Sequence, residues 1–485
     1  MGELLTKTDY KNYLECGCYL WMAKKGKHLL PPFSASELFH QQEGEKVDAL
    51  AKQLYRKGVE LFDFNEEGWR KSKPLFAAKE AVIFQPTVIT KSGLTCRADI
   101  VTYDQKADAY DLREVKSATT VRPEDLHDVA FQLVCFKEAG IKVGKAYILH
   151  VNSQYVRHGI IAPEEFFVTE EVTEEARALV PEVKKGIADS LALLAIDDYP
   201  DDRVILSCKS KTGSCDHLKS YLSQASAPKL DIKAWPPAFA LGLLRKGVLD
   251  AGTLPSVLLR GLGFTPIAKK VDVALIKREL GALVYPVYFL DYETYASPIP
   301  PFDGTRPWQK IVFQYSLCIK KTPKSKPEQR SFLAVEDRNP VPEMVAQLKK
   351  DIGTNGTVIV WYAPFEVPRN REIGQQYPEF AEFLDSLNRR VYDLMVIFKE
   401  KLYVDARFHG SASIKSVLPV IVPDLSYKTL AIQEGGTASS SWPRLTDSKT
   451  PPAEKEKLRR DMLLYCGRDT MAMVRILEHL EAAVR

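Results

Sequence analysis

Val287-Tyr288-Phe289-Leu290-Asp291-Tyr292-Glu293-Thr294 is an apolar run that ends in two carboxylates with one residue between them. It reads as a buried strand. Side chains alternate across a strand, so Asp291 and Glu293 point to one face and can share a divalent cation. By itself an Asp-x-Glu pair is more often a solvated strand end, and the acids farther along the chain decide between the two readings.

Downstream, Gln309–Ile319 reads as a second strand, Lys320–Arg330 as a charged turn and Ser331–Val335 as a third strand. A helix is expected over Val341–Asp351. The β-branched run Thr357–Tyr362 then stops at Ala363-Pro364-Phe365-Glu366. Asp393 is placed on a helix beginning at Val391, Gly410–Lys415 is a loop, and Gly435–Pro451 has loop composition. In the last helix Tyr465 and Asp469 stand at i and i+4. One turn apart, the carboxylate can bind a metal while the phenol orients an attacking water.

Taken in order, Asp291-x-Glu293, Phe365-Glu366, Asp393 and Tyr465-x-x-x-Asp469 resemble the DnaQ-like (DEDD) exonucleases of the ribonuclease H-like fold, in their tyrosine variety. The resemblance implies two Mg²⁺ or Mn²⁺ ions about 3.5 to 4 Å apart, clamping the attacking and leaving oxygens of a phosphoryl displacement. Glu366 stands where that family usually has Asp, so either its longer arm reaches the metal or Asp393 takes over. The whole C-terminal half also looks similar to an uncharacterised domain found fused behind RecB-type nucleases.

The first half of the chain opens with an expected amphipathic helix over Leu5–Trp21, capped by Thr6 or Thr8, and a helix over Glu43–Tyr55 that puts Glu45 and Asp48 on one face. A hairpin follows: Cys96–Tyr103, a polar turn at Asp104–Asp108, and Tyr110–Lys116. It sets Asp99 across from Glu114, and Lys116 shares the face of Glu114. Carboxylates that hold Mg²⁺ beside an ammonium that stabilises developing negative charge are what phosphodiester hydrolysis needs. A cross-strand Glu/Lys pair alone is an ordinary surface feature. The strand Ala146–Val151 continues the sheet, with His150 a core or edge residue rather than a ligand.

Gly44-x-x-x-Asp48, Asp99, Glu114-Val115-Lys116 and Gln132-x-x-x-Phe136 resemble the motif series of RecB-type nucleases in the PD-(D/E)XK superfamily. What this implies is metal binding by Asp99 and Glu114, a catalytic role for Lys116, and a substrate or core-strand contact for Gln132. Asp48 stands where the family often has His, with Glu45 the alternative ligand, and Phe136 stands where it often has Tyr. Some relatives clamp an iron–sulfur cluster with one cysteine before the nuclease core and three after it. Here Cys16 and Cys18 precede and Cys208 and Cys215 follow. An iron–sulfur cluster, Zn²⁺ or free buried thiols remain open for them, and the spacing favours free thiols.

With 485 residues, 45% hydrophobic and 27% charged, the chain is long enough for two domains and average enough in composition to fold throughout. Its net charge of +4 excludes a surface that is basic overall, so contact with a polyanion needs local patches. The N-terminus shows no secretory pattern, and no apolar run of about 18 residues predicts a membrane span. Eight cysteines spread over this length suit a reducing, cytoplasmic setting.

The expected class is α/β in two domains. A restriction-endonuclease-like mixed sheet with helices occupies 1–225, a helical connector 226–283, and a ribonuclease H-like mixed sheet with helices 284–485. Within the connector, Ala268–Leu280 reads as a basic helix. The expected activity is metal-dependent cleavage of nucleic acid, with DNA favoured and RNA admitted, and exonuclease action from the C-terminal domain. The rival is a nucleic-acid-binding protein with one active site, the other domain serving as a platform.

Overall fold

Thr-x-x-Asp and Ser-x-x-Glu caps start two of the first helices of the chain. Thr6 and Asp9 form a reciprocal capping box at the start of α1 (Lys7–Glu15), with the Asp9 carboxylate 2.8 Å from Thr6 N. The single helix expected to Trp21 breaks at the extended residue Cys16 and resumes as α2 (Gly17–Lys24). Ser34 and Glu37 form a second box, which starts α3 (Ala35–Lys52) well before Glu43. The computed structural model describes residues 4–196 and 269–485, apart from 28, 29, 31, 56 and 409. The expected domain boundary at 225/226, most of the connector, Cys208 and Cys215 lie outside the described residues.

The fold is mixed α/β. In the first half, β1 (Val59–Glu60), β2 (Val82–Phe84), β3 (Ile100–Asp104), β4 (Ala109–Lys116), β5 (Val143–Val151) and β6 (Phe167–Glu171) lie side by side in that order. The β3–β4 hairpin pairs Ile100 with Arg113, which sets Asp99 opposite Glu114 as the alternation predicts. β4 and β5 run parallel, a connection that needs a crossover, and helix α4 (Pro123–Glu138) supplies it. Tyr110 and Leu112 pack into the cluster that holds α4, so Glu114 and Lys116 project towards that helix. The opposite face packs on Val47 and Ala51 of α3.

In the second half, β7 (Val287–Tyr295), β8 (Ile311–Lys320), β9 (Glu328–Leu333), β10 (Thr357–Val360) and β11 (Val391–Asp393) take the spatial order β9-β8-β7-β10-β11. β7, β8 and β9 are antiparallel, whereas β10 and β11 run parallel to β7. Val287 and Phe289 face a cluster built with α7 (Pro452–Ala483), and Tyr288, Leu290 and Tyr292 face the opposite cluster, which includes Ile373 of α5 (Ala363–Gln376). Asp291 and Glu293 therefore point at α7. Just past Glu293 the register slips, leaving Phe313 of β8 without an opposite residue. Its ring stacks on Trp442 of α6 (Gly435–Thr446), 5.0 Å between centroids.

Four expectations need correction. Val391–Met395 begins as strand β11, since Val391 and Tyr392 complete the parallel ladder against β10. Gly435–Pro451 is largely helix α6, because burial of Ala438, Trp442 and Leu445 on one side overrides a Gly- and Ser-rich composition. Ala268–Leu280 contains a short strand, Lys269–Val271, paired with Tyr403–Asp405, before its helix at Val273–Gly281. The third strand starts at Glu328, inside the expected turn.

The two halves are joined by specific contacts. The buried Glu43 of α3 accepts a hydrogen bond from Ser297, and Phe39 packs edge-on against Tyr295 at 5.8 Å. Arg157 donates to the carbonyls of Pro300 and Pro301 at 2.9 and 2.8 Å. Among the described residues no helix is long and apolar enough to cross a membrane.

Gly356 sets the entry of β10 beside β7. Its φ is +92°, and a Cβ there would lie 2.0 Å from the Pro286 carbonyl oxygen. Gly356→Ala is expected to cost about 3 kcal/mol, from left-handed backbone strain plus displacement of that carbonyl, read from the denaturant midpoint. An unchanged midpoint would show that the β7–β10 junction tolerates movement.

Candidate active sites

Tyr465, Cys466 and Asp469 of α7 come down onto Asp291 and Glu293 at the end of β7. The Cys466 Sγ lies 3.5 Å from Asp291 Oδ2, and ligand atoms of Asp291, Glu293 and Cys466 fall within 4.8 Å of one another. Asp469 accepts a hydrogen bond from the buried Tyr427 hydroxyl. Glu366 occupies the first turn of α5, is only 3% exposed, and has an oxygen, Oε2, that is buried without a hydrogen-bond partner.

Burial pushes Asp291 well above the usual carboxylate range, and Asp469 and Glu293 push it further. Glu293 is raised likewise by burial and by Asp469, against the pull of Lys415. Burial lifts Asp469 to about 6 despite the Tyr427 hydrogen bond and Lys415. Glu366 is lifted to about 8 by burial, with Asp393 adding to the shift. Lys415 and, at Glu366, Arg369 oppose these shifts without reversing them, so acids held together out of water form a site short of positive charge.

Asp393 stands next to this cluster but outside it. Its Oδ1 accepts from Tyr362 N at 2.9 Å and Met395 N at 3.1 Å, and its Oδ2 accepts from Ala363 N at 2.9 Å. These bonds hold Tyr362 in the left-handed region, φ +84°, and fix the turn that launches α5 with Glu366 in its first turn. Asp393 thus uses three acceptor positions to fix this turn, while Glu366 keeps a buried oxygen without a hydrogen-bond partner.

The donor set fits Mg²⁺ or Mn²⁺. Asp291, Glu293, Glu366 and Asp469 offer hard oxygens, one of them orphaned. Cys466 contributes little, because burial first and then Asp291 raise its thiol far above its ordinary range and keep it protonated. Tyr465 is buried, and its hydroxyl bonds to no described residue; a Cβ on Gly435 would lie 3.8 Å from it. Sequence reasoning missed Tyr427 and Lys415. Tyr427 sits 42 residues before Asp469, so no local spacing links them.

The first-half cluster is built differently. Asp99 Oδ2 accepts from Val115 N at 2.8 Å, and Gln85 Nε2 reaches Asp48 at 3.0 Å and Asp99 at 3.5 Å. Asp48 Oδ1 is buried and unpartnered, whereas Glu45 is exposed and away from the cluster, so the expected ligand is Asp48. Glu114 Oε1 receives both Lys116 and Lys7 at 2.7 Å, and Gln132 donates to its Oε2 at 2.6 Å. Lys116 also meets Asp128, which is 1% exposed, at 2.5 Å. Burial and Glu114 lift Asp99 to about 7. Burial alone would raise Glu114, but Lys116 and Lys7 outweigh it and hold the carboxyl well below its usual range. Burial would lower Lys116, and Glu114 and Asp128 reverse that, so it stays an ammonium.

Lys7 and Asp128 were not foreseen. Asp128 lies one helical turn before Gln132 on α4, a spacing that was available in the sequence. Lys7 arrives from more than 100 residues away. His150 is buried on β5, between β4 and β6, and hydrogen-bonded to Glu170 at 2.7 Å. Cys16 is buried at the α1–α2 break, and the Cys208 and Cys215 partners proposed for it are outside the described residues.

In metal-free protein the raised acids make stability fall as pH rises. The unfolded chain has already lost these protons near pH 4, while the folded chain releases them only through about pH 6 to 8, so the folded state binds more protons in that window. The melting temperature in chelator should therefore drop between about pH 6 and about pH 8.5, and Mg²⁺ or Mn²⁺ should restore it. Asp291→Asn should raise the chelated melting temperature at the upper pH by roughly 2 to 4 °C and shrink the metal-induced gain. A variant that melts lower in chelator and gains as much from metal would refute the ligand assignment.

Residues 288–413, which include Asp291, Glu293, Glu366 and Asp393, match a family model described as a domain of unknown function, DUF2779. Tyr427, Tyr465 and Asp469 lie beyond the matched stretch. No curated protein matches the chain.

Proposed function

We propose that the chain is a metal-dependent nuclease with two phosphodiesterase sites, one on a RecB-like domain and one on a ribonuclease H-like, DnaQ-type exonuclease domain. The observation that carries this is the buried convergence of Asp291, Glu293, Glu366 and Asp469 at the end of β7, with one carboxylate oxygen left unpartnered. Mutually repelling buried acids are retained where a cation is to be held. The two mixed sheets, each with its acids at the end of a central strand, support the same assignment.

In the C-terminal site Asp291, Glu293, Glu366 and Asp469 would hold Mg²⁺ or Mn²⁺; in the first, Asp48, Asp99 and Glu114 would. Such ions activate water and neutralise charge on the phosphate. Tyr427 orients Asp469 by its hydroxyl, and Tyr465 offers a phenol with no hydrogen-bond partner among the described residues for positioning a water. Gln132 fixes the Glu114 carboxylate, and Lys116 presents an ammonium for charge developing on the scissile group. DNA is the favoured substrate, with RNA admitted.

Lys7 favours a second reading for the first site only. An ammonium 2.7 Å from Glu114 supplies positive charge where a metal would sit, as expected of a domain that grips nucleic acid without cutting it. End-labelled single- and double-stranded DNA and RNA, incubated with Mg²⁺, Mn²⁺ or EDTA, separate the readings. Asp291→Asn should abolish trimming from an end, and Asp99→Asn should abolish only the remaining cleavage. If Asp99→Asn changes nothing while Asp291→Asn silences every substrate, the second reading holds. If wild-type protein cuts nothing with any cation, neither site is a nuclease.

Lys116 can be tested apart from folding. Lys116→Ala removes one of the ammoniums facing two buried carboxylates, so it should cost about 3 kcal/mol in chelated protein as well as activity. Lys116→Arg keeps the charge and should preserve the melting temperature, while lowering first-site cleavage about 100-fold through the lost position. Full activity in the arginine variant would make Lys116 a structural ion-pair member.

A further inference from the structure

Where the two halves meet lies a cleft of about 540 Å³, within the range of about 300 to 1,000 Å³ typical of ligand sites. Its walls come from both halves of the chain: Ser153 after β5, the loop carrying Arg306, Trp308 and Lys310, and α5 with Arg369 and Gln376. The Trp308 indole donates to the Ser117 carbonyl at 2.7 Å, and Ser117 follows Lys116. On the other side Phe365, which precedes Glu366, lies with its ring 4.6 Å from Lys310 Nζ and 5.8 Å from the Arg369 guanidinium. One wall of the cleft is thus tied to the chain neighbour of Lys116, and another packs on the chain neighbour of Glu366.

Its lining carries more cations than acids. Glu372 is the acid among the lining residues, and Arg369 already takes it at 2.5 Å. Arg306 and Lys310 form no ion pair among the described residues, and Arg369 Nε is buried without a hydrogen-bond partner. Burial and the nearby Arg369 lower the Lys310 pKa, and Glu372 opposes the shift without reversing it. Trp308 is held at φ +60°, a strained backbone for a bulky residue, and its side chain is only partly buried. Phosphates for the cations and bases for the aromatic faces satisfy all of these features together.

We propose that this cleft binds a single strand of nucleic acid through its phosphates and presents one strand to both acid clusters. The proposal deepens, and rests on, the reading of those clusters as phosphodiesterase sites. The volume suits a short stretch of single strand and is too small for a duplex.

Binding of a labelled oligothymidylate to the full chain in EDTA tests this without cleavage. The exposed pair Arg306→Glu/Lys310→Glu should weaken binding at least tenfold and lower the slope of log affinity against log salt by about 1.4, two phosphate contacts at about 0.7 each. A charge-matched control outside the cleft, Lys349→Glu/Lys350→Glu on the helix Val341–Asp351, should bind as wild type does, with thermal melts confirming that both variants fold. Equal losses in the two variants, wild-type affinity in the cleft variant, no binding by wild type, or equal affinity for a blunt duplex would each overturn the proposal. Cleft-dependent binding by a wild-type protein that cuts nothing in Mg²⁺ or Mn²⁺ would uphold the cleft and reject the nuclease reading instead.

Discussion

Mutual repulsion among buried carboxylates is the constraint around which the C-terminal half is built. Three of the acids, Asp291, Glu293 and Asp469, meet where β7 ends under α7, and Glu366 approaches from α5. Each would be more stable in water. What holds them is the surrounding apolar structure: β8 is buried at all ten of its positions, and Met462, Met473 and Leu477 anchor α7 on the sheet. The bulge at Phe313 and the stacked Trp442 belong to the same framework, since they close the core beside Glu293 without filling the space between the acids.

Features written as local patterns were legible in the sequence. Alternation gave the shared face of Asp291 and Glu293 and the facing of Asp99 and Glu114, and the i, i+4 spacing put Tyr465 and Asp469 on one helix. Features that depend on distant partners were not. Val391–Asp393 carries too few residues for periodicity to declare a strand, and only pairing with β10 makes it one. The same shortness hid the role of Asp393, because a turn-fixing acid and a metal-binding acid look alike until the three backbone N–H groups are in place. Helix α6 was masked by its glycines and serines, and its burial comes from β7 and α7 rather than from its own composition. Lys7 and Tyr427 are supplied from far along the chain, so spacing could not reveal them.

The contacts between the halves change the meaning of the connector. A chain with two independent catalytic domains needs only a tether. Here the Glu43–Ser297 bond, the Arg157 bonds to the 300–301 carbonyls and the Trp308–Ser117 bond lock one sheet's rim against the other's. Glu43 is buried, so losing Ser297 would leave a carboxylate with one partner, the exposed Lys46. Such contacts fix the separation and orientation of the two acid clusters, which two tethered domains would not have.

The two clusters solve the problem of buried negative charge in opposite ways. In the first, Lys7 and Lys116 neutralise Glu114 and Asp128 from within the chain, and Glu114 ends below the ordinary carboxylate range. In the second, Lys415 opposes Glu293 and Asp469 and Arg369 opposes Glu366, yet every shifted carboxylate is raised. Internal lysines let the first cluster fold complete without any ion, and they also compete with an incoming one. In the second cluster Lys415 and Arg369 act without an ion pair to the acids among the described residues and leave them raised, so its full charge state depends on what binds. A difference in metal dependence between the sites is therefore built into the placement of lysines: Lys7 and Lys116 bond directly to the first cluster's Glu114, whereas among the described residues no lysine forms an ion pair with Asp291, Glu293, Glu366 or Asp469.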